Sequence, residues 1–303
     1  LNYKNKILII TLISLLLVGC RGKDHVNKLK EMDMAPKSFT ELNRGIQNIL
    51  DEVGQIEKIE MGIDSTEEKL DTEKYGEMNT DSEPQQSEES GQSQNQEEEG
   101  GGKEGENQKE NQSSPQPIKE KKDNKEEDKQ KKVESIWNKI DKSLEEVHSS
   151  WNDYEVEGVR KGATDDKGVA FESSLNKMTK AVENRDILGI YDYGSQSIFN
   201  LKPYYDLYSD EIGGEVGKIK YMVYQYYISG ILKNPVRAQS IISDYEENIN
   251  KIRVKIDNDK NKTKELDKII FGLKSLPQSL EEDSKRLLLI KKDVLIENLN
   301  ALE

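Results

Sequence analysis

One thiol and two imidazoles are all that this 303-residue chain offers of the side chains used most for nucleophilic, metal and proton chemistry. The thiol is Cys20, in the run Leu17-Val18-Gly19-Cys20. An aliphatic residue three positions before the cysteine and a small one just before it is the spacing of the bacterial lipobox. The chemistry expected there is conversion of the thiol to a diacylglyceryl thioether, cleavage before Cys20, and acylation of the new N-terminus with a chain such as palmitate. That leaves no thiol for a disulfide, a thiolate metal site or a cysteine nucleophile.

The imidazoles are His25 and His148, far apart in sequence. A serine triad or a zinc site would have to be built around one of them without a cysteine, and neither is expected. His148 reads as a residue at the edge of a helix core. The paired carboxylates Glu145 and Glu146, and Glu281 and Glu282, are adjacent in sequence and so point to different parts of a helix surface. Gly189, Gly194, Gly213, Gly214 and Gly217 lack the lysine and strand context of a phosphate loop and read as turns and close packing. Asp257, Asn258 and Asp259 do not complete a calcium loop, because Lys260, Lys262 and Lys264 stand where further ligands are needed. No metal, cofactor or catalytic residue is expected, and the chain is read as a non-enzyme.

Two features suit binding. The tyrosines Tyr191, Tyr193, Tyr204, Tyr205, Tyr208, Tyr221, Tyr224, Tyr226 and Tyr227 suit an interface, or a core whose hydroxyls reach polar partners. With Phe so scarce, the core is the favoured reading. The second feature is the basic stretch Lys251, Arg253, Lys255, Lys260, Lys262, Lys264, Lys268 and Lys274, interrupted by the acids Asp257, Asp259, Glu265 and Asp267. Lys251, Lys255 and Lys262 are expected to share a face. Such a patch binds phosphates without reading sequence, by releasing counterions. Against it, 25 basic residues stand beside 30 acidic ones from Val133 onward, so a solvated helix face is the competing reading.

The elements that carry these residues follow from composition. Lys4 and Lys6, an apolar run from Ile7 to Val18 and Gly19 divide residues 1–19 as an export signal. A run that short does not span a bilayer, which needs roughly 20 apolar residues. Residues 20–36 form a lipidated tether. In 37–64, Phe39, Leu42, Ile46, Ile49, Val53, Ile56, Ile59 and Ile63 recur at three- and four-residue spacing on one helical face. Ser38 and Glu41 have capping-box spacing. This helix could pack within the protein, pair with another copy, or lie on a membrane, and the first is favoured.

Residues 65–132 read as a low-complexity disordered linker. From Asn79 to Pro117 there is no aliphatic or aromatic residue to drive collapse, and Lys119 to Lys132 is either more tether or a solvated lead into a helix. About 50 such residues span on the order of 40 Å as a coil. Residues 133–303 regain apolar periodicity, with Val133, Ile136, Trp137, Ile140, Leu144, Val147, Trp151 and Tyr154 in the first helix. Beyond it come a loop from Gly158 to Gly168, a helix capped by Asp165 or Asp166, and another from Asp186. Asn234-Pro235 opens a helix that runs on to Ile256, and two last segments are separated by Pro277, with Ser279 and Glu282 as a second capping box. The fold class is therefore all-α, a compact bundle of about six or seven helices behind a lipoprotein signal and a tether.

This layout, together with the segment Ile198-Phe-Asn-Leu-Lys-Pro-Tyr-Tyr-Asp-Leu-Tyr208, resembles the plasmid-encoded surface lipoproteins of Borrelia, most of all paralogous family twelve. The resemblance implies a helical, lipid-anchored protein, placed at the outer membrane facing the cell exterior, that binds DNA without sequence preference. It would place phosphate contacts in the basic stretch. Other helical lipoproteins of the same bacteria bind a host complement regulator or matrix protein, which is the alternative function. Cys20→Ala is expected to abolish metabolic fatty-acid labelling and to move the chain out of the membrane fraction. Undiminished labelling of that variant would refute the anchor.

Overall fold

The computed structural model describes residues 34–63, 118–208, 212–256 and 259–303, with the side chains of 118–125 excepted. The export signal, Cys20 and most of the tether and linker lie outside the described residues. All regular structure among the described residues is α-helix: α1 Lys37–Glu60, α2 Ile118–Lys161, α3 Asp165–Glu183, α4 Ile187–Asn200, α5 Lys202–Tyr205, α6 Gly213–Ile231, α7 Pro235–Ile241, α8 Tyr245–Lys255, α9 Lys260–Glu281 and α10 Lys285–Leu302. None is long and apolar enough to cross a membrane.

The chain divides into two units. One comprises residues up to Met61 together with Val133–Glu303, and the other comprises Gly62–Lys132. Helix α1 is thus part of the compact bundle, although about 70 residues separate it from the next segment of that unit. The second unit is described chiefly by the first turns of α2. The linker expected over 65–132 therefore stops short, because helix begins at Ile118. Glu and Lys are good helix formers, and opposite charges four apart support one another, as Lys131 and Glu127 do at 2.7 Å.

Helix α6 is the centre of the bundle, packed against α4, α5, α7, α8 and α10. It is buried nearly all round, from Gly213 through Ser229, as a helix with neighbours on every side must be. Helix α1 buries the predicted stripe of Phe39, Leu42, Ile46, Ile49, Val53 and Ile56. Its glycines weaken the helix in isolation but permit contact. A Cβ on Gly45 would lie 2.6 Å from Val147 of α2, and one on Gly194 of α4 would lie 2.7 Å from Leu50 of α1. Both approaches are closer than a Cβ ordinarily makes, so a side chain at either glycine would force the facing methyl group to shift.

Several helix boundaries differ from the sequence reading. Helix α1 starts after Pro36 with no side-chain cap, so Ser38 and Glu41 form no capping box. The Gly158 to Gly168 loop shrinks to Gly162–Thr164, with Gly162 at φ 105° and Thr164, not an aspartate, at the N-cap of α3. Gly158 and Gly168 are helical, and their missing side chains leave space for the Tyr204 ring. The single helix expected from Pro235 to Ile256 is two, α7 and α8. Between them Ser243 donates to the Ser240 carbonyl at 3.0 Å, the local bonding by which serine competes with helix continuation. Asn234 does cap α7, accepting from the Arg237 amide at 3.1 Å.

Pro277 lies inside α9 rather than ending it. The break comes instead at Asp283, with φ 45°, after which Ser284 accepts from the Leu287 amide at 3.2 Å and caps α10. Ser279 is buried within α9, so the second capping box is also absent. A proline removes one hydrogen bond, and the Leu266, Ile269, Leu273 and Leu276 face packed below it keeps the helix continuous.

The Phe39 ring is fully buried, 4.6 Å from the Tyr154 ring and 4.7 Å from the Tyr205 ring, centroid to centroid. Phe39→Ala is expected to destabilise the protein by about 3–5 kcal/mol, the usual range for a buried aromatic reduced to alanine. The urea midpoint measures it, and a change under about 1 kcal/mol would mean that α1 is not integral to the bundle.

Candidate functional site: a basic helical face

The tyrosines settle first, because they decide which surface remains for binding. Tyr191, Tyr204, Tyr205, Tyr208, Tyr224, Tyr226 and Tyr227 are buried, and Tyr193 and Tyr221 are half-buried. Several of their hydroxyls find polar partners inside the bundle. The Glu57 carboxylate of α1 accepts one bond from Tyr191 of α4 at 3.0 Å and another, short one from Tyr227 of α6. Lys292 of α10 donates to the Tyr191 hydroxyl at 3.0 Å, and its ammonium lies 4.3 Å from the centroid of the Tyr191 ring and 5.1 Å from that of Tyr227. Asp293 pairs with Lys292 at 2.9 Å and with Lys58 of α1 at 2.9 Å.

A second polar tie binds α1 to α6. Lys220, only 1% exposed, donates to the Glu303 carboxylate at 2.8 Å, which also accepts from Gln47 at 3.1 Å. Burial holds the Lys220 ammonium below its ordinary pKa, offset by Glu303 and then Asp51. Beside the Glu57 cluster is a cleft of about 310 Å³ lined by Asp51, Lys58, Tyr224, Lys292, Asp293 and Glu297 among others. Its two lysines, Lys58 and Lys292, both pair with Asp293, and the cleft presents charges of both signs. His148, half-buried on α2, lies 2.9 Å from the Thr179 hydroxyl of α3, and burial lowers its pKa.

The basic stretch is on α8 and α9, joined through Asp259. The Asp259 side chain caps α9 by accepting from the Asn261 and Lys262 amides at 2.9 and 3.0 Å. Lys251, Arg253, Lys255, Lys260 and Lys264 are exposed and Lys262 is half-buried. Lys251 and Lys255 share a face of α8, but Lys262 is in the first turn of α9, so the three do not line one helical face. Lys251 donates to Glu247 at 2.6 Å, which raises its pKa and lowers that of Glu247. Arg253 reaches from α8 to Asp267 of α9 at 3.9 Å, and Lys268 pairs with Glu265 at 2.9 Å.

Helical geometry sorts the rest. Leu266, Ile269, Leu273 and Leu276 turn α9 toward the core. At 100° per residue the opposite side carries Lys260, Lys264, Asp267, Phe271, Lys274 and Gln278, all exposed. Asp267, the acid of this row, is the one that Arg253 meets. The lysines of the first two turns gain nothing from the helix dipole, which favours anions at an N-terminus. An incoming anion meets Lys260, Lys264 and Lys274 on this side, while the helix end itself is taken by the Asp259 carboxylate.

Phe271, 71% exposed in the middle of this row, was not singled out from sequence. The available signal is register: Phe271 falls outside the 266, 269, 273, 276 stripe that the rest of α9 obeys.

Comparison with family models, with curated proteins and with solved structures gives no match to this chain.

The buried tyrosines make the stability pH-dependent. Burial raises the pKa of Tyr191, Tyr224, Tyr154 and Tyr227 well above the ordinary value, and that of Tyr204 and Tyr226 to about 12. Above about pH 10 the unfolded chain releases these protons while the folded chain retains them. Folded protein then binds more protons, so stability present below about pH 10 is lost as pH rises toward the folded values. Urea midpoints are expected to be nearly level between about pH 7 and 9 and to fall steeply by about pH 11. A level profile through pH 11 would contradict the burial of these rings.

Proposed function

We propose that the chain is a lipid-anchored, non-enzymatic binding module displayed at the bacterial cell surface, and that its ligand is DNA held through the phosphates without sequence preference. The observation that carries this reading is the solvent-facing row of α9. There Lys260, Lys264 and Lys274 are presented on one side, and the acid between them, Asp267, is met by Arg253 of the neighbouring helix. A local positive face suffices for phosphate binding although the whole chain carries a formal charge of −14, because screening limits each charge to about 10 Å at ordinary ionic strength.

Capture of a host protein, the alternative, would call for an exposed tyrosine patch, and seven of the nine clustered rings are buried. The lipid anchor rests on the Leu17-Val18-Gly19-Cys20 motif. The low-complexity sequence after α1 is of a composition that suits reach from a crowded membrane.

The test is a gel shift of the full chain, in detergent, with duplex DNA at two salt concentrations. With three or four phosphates neutralised, affinity is expected to fall about forty- to a hundred-and-fiftyfold between roughly 50 and 200 mM salt. The combined substitution Lys260→Gln, Lys264→Gln and Lys274→Gln is expected to weaken binding at low salt and to flatten the salt dependence. A salt-insensitive shift, or none at low salt, would overturn the reading.

A further inference from the structure

The exposed ring in the middle of the basic row points to which form of nucleic acid the face accepts. Phe271 is one of only four phenylalanines in the chain, and it is 71% exposed on a helix whose Leu266, Ile269, Leu273 and Leu276 turn inward. Its neighbours on the surface are three lysines and one acid, Asp267, which Arg253 of α8 meets. Lys264 and Lys268 precede it by seven and three residues and Lys274 follows it by three, the spacings that place side chains on adjoining parts of a helix surface. From Lys264 to Lys274 the row is about 15 Å long at 1.5 Å per residue, room for two or three nucleotides.

Phosphate contact alone gives no reason for an aromatic ring in that place. A lysine stem would fill the position and add charge. A planar, uncharged ring flanked by ammonium groups is instead the arrangement that holds a single strand: the cations follow the backbone and the ring offers a face to a base. In a duplex the base faces are covered by their neighbours in the stack, and a ring on a helix outside the groove cannot reach them. Val254, 78% exposed, follows Arg253, whose guanidinium meets Asp267 one turn before Phe271. Exposed apolar surface therefore stands on both helices near that contact.

We propose that the α9 face is a single-stranded nucleic-acid site in which Phe271 stacks on an unpaired base while Lys264, Lys268 and Lys274 contact the adjoining phosphates. The proposal deepens the DNA-binding reading and rests on it. It implies that single strands bind more tightly than duplex of the same length, and that the preference resides in one ring. Base identity matters little, because every base has a face to stack.

Fluorescence anisotropy of the full chain in detergent tests it, with a labelled oligothymidine, a duplex of equal length, and an abasic oligomer that keeps the phosphates but has no bases. The oligothymidine is expected to bind at least about tenfold more tightly than the abasic oligomer, in line with the effect of one stacked base. Phe271→Ala should remove that advantage and leave duplex binding unchanged, and Phe271→Trp should restore it. Because the ring is exposed, both variants retain the core contacts of α9. Equal binding of all three oligomers, or equal loss for all three in Phe271→Ala, overturns the stacking proposal while leaving phosphate binding standing. Absence of binding to any of them at low salt overturns the DNA-binding reading itself.

Discussion

A single buried carboxylate does much to explain how this bundle is assembled. Glu57 is on α1, separated in sequence from the next segment of its unit by some 70 residues, yet it accepts hydrogen bonds from Tyr191 of α4 and Tyr227 of α6. An ionised carboxylate away from water is costly unless its lone pairs are met, and here two hydroxyls meet them, with the Lys292 ammonium on the far side of Tyr191. The arrangement fixes α1 in register as well as in place. Sliding the helix by one turn would leave the carboxylate and the Tyr227 hydroxyl without these partners and take the acceptor from Tyr191. The apolar stripe of α1 could bury itself in more than one register, so this polar contact supplies specificity that the stripe lacks.

The same demand shapes the centre of the fold. Helix α6 is surrounded by neighbours and carries Lys220, Gln225, Tyr224, Tyr226 and Tyr227, so its interior polar groups must be answered from other helices. Gln225 illustrates this. It donates to Asp192 at 2.6 Å and to Ser195 at 3.2 Å, both on α4, and accepts from Arg237 on α7 at 2.8 Å. A core so poor in phenylalanine uses tyrosine for bulk. Several rings then find a polar partner at the hydroxyl end, as Tyr191 and Tyr227 do in Glu57 and Tyr208 does in Tyr154, which ties packing to hydrogen bonding there. Turning the rings inward also removes them from the surface, leaving charged helix faces as the ground for binding.

Among those faces the one on α9 differs in having a large exposed aromatic among lysines. It is positioned by ordinary means: Asp259 starts the helix, the leucine and isoleucine stripe turns it, and Arg253 joins it to α8. The position of the basic stretch in the chain was visible from the lysines themselves. The end of the first helix near Ile256 was legible too, but the start of α9 at Lys260 was not, and this is why Lys262 does not line a face with Lys251 and Lys255. The importance of Phe271 was hidden for a related reason, since the adjacent Ile269 and Ile270 make it look like one more core residue until the register of α9 is known.

What the sequence determined by itself is whatever depends on residues close together in the chain. The all-α class, the buried face of α1, the Asn234 cap and the abrupt loss of apolar residues after α1 all follow from spacing and composition over a few turns. Tertiary structure decided what depends on partners far away. Helix α9 continues through Pro277 because a packed face outweighs one lost hydrogen bond, and α1 belongs to the bundle. Tyr191 and Tyr227 have their hydroxyls answered in the interior because Glu57, 134 residues from one and 170 from the other, is there to receive them. Periodicity says that a side chain has a buried face to join, but the cost of burying its polar end depends on a partner that only the folded chain brings near.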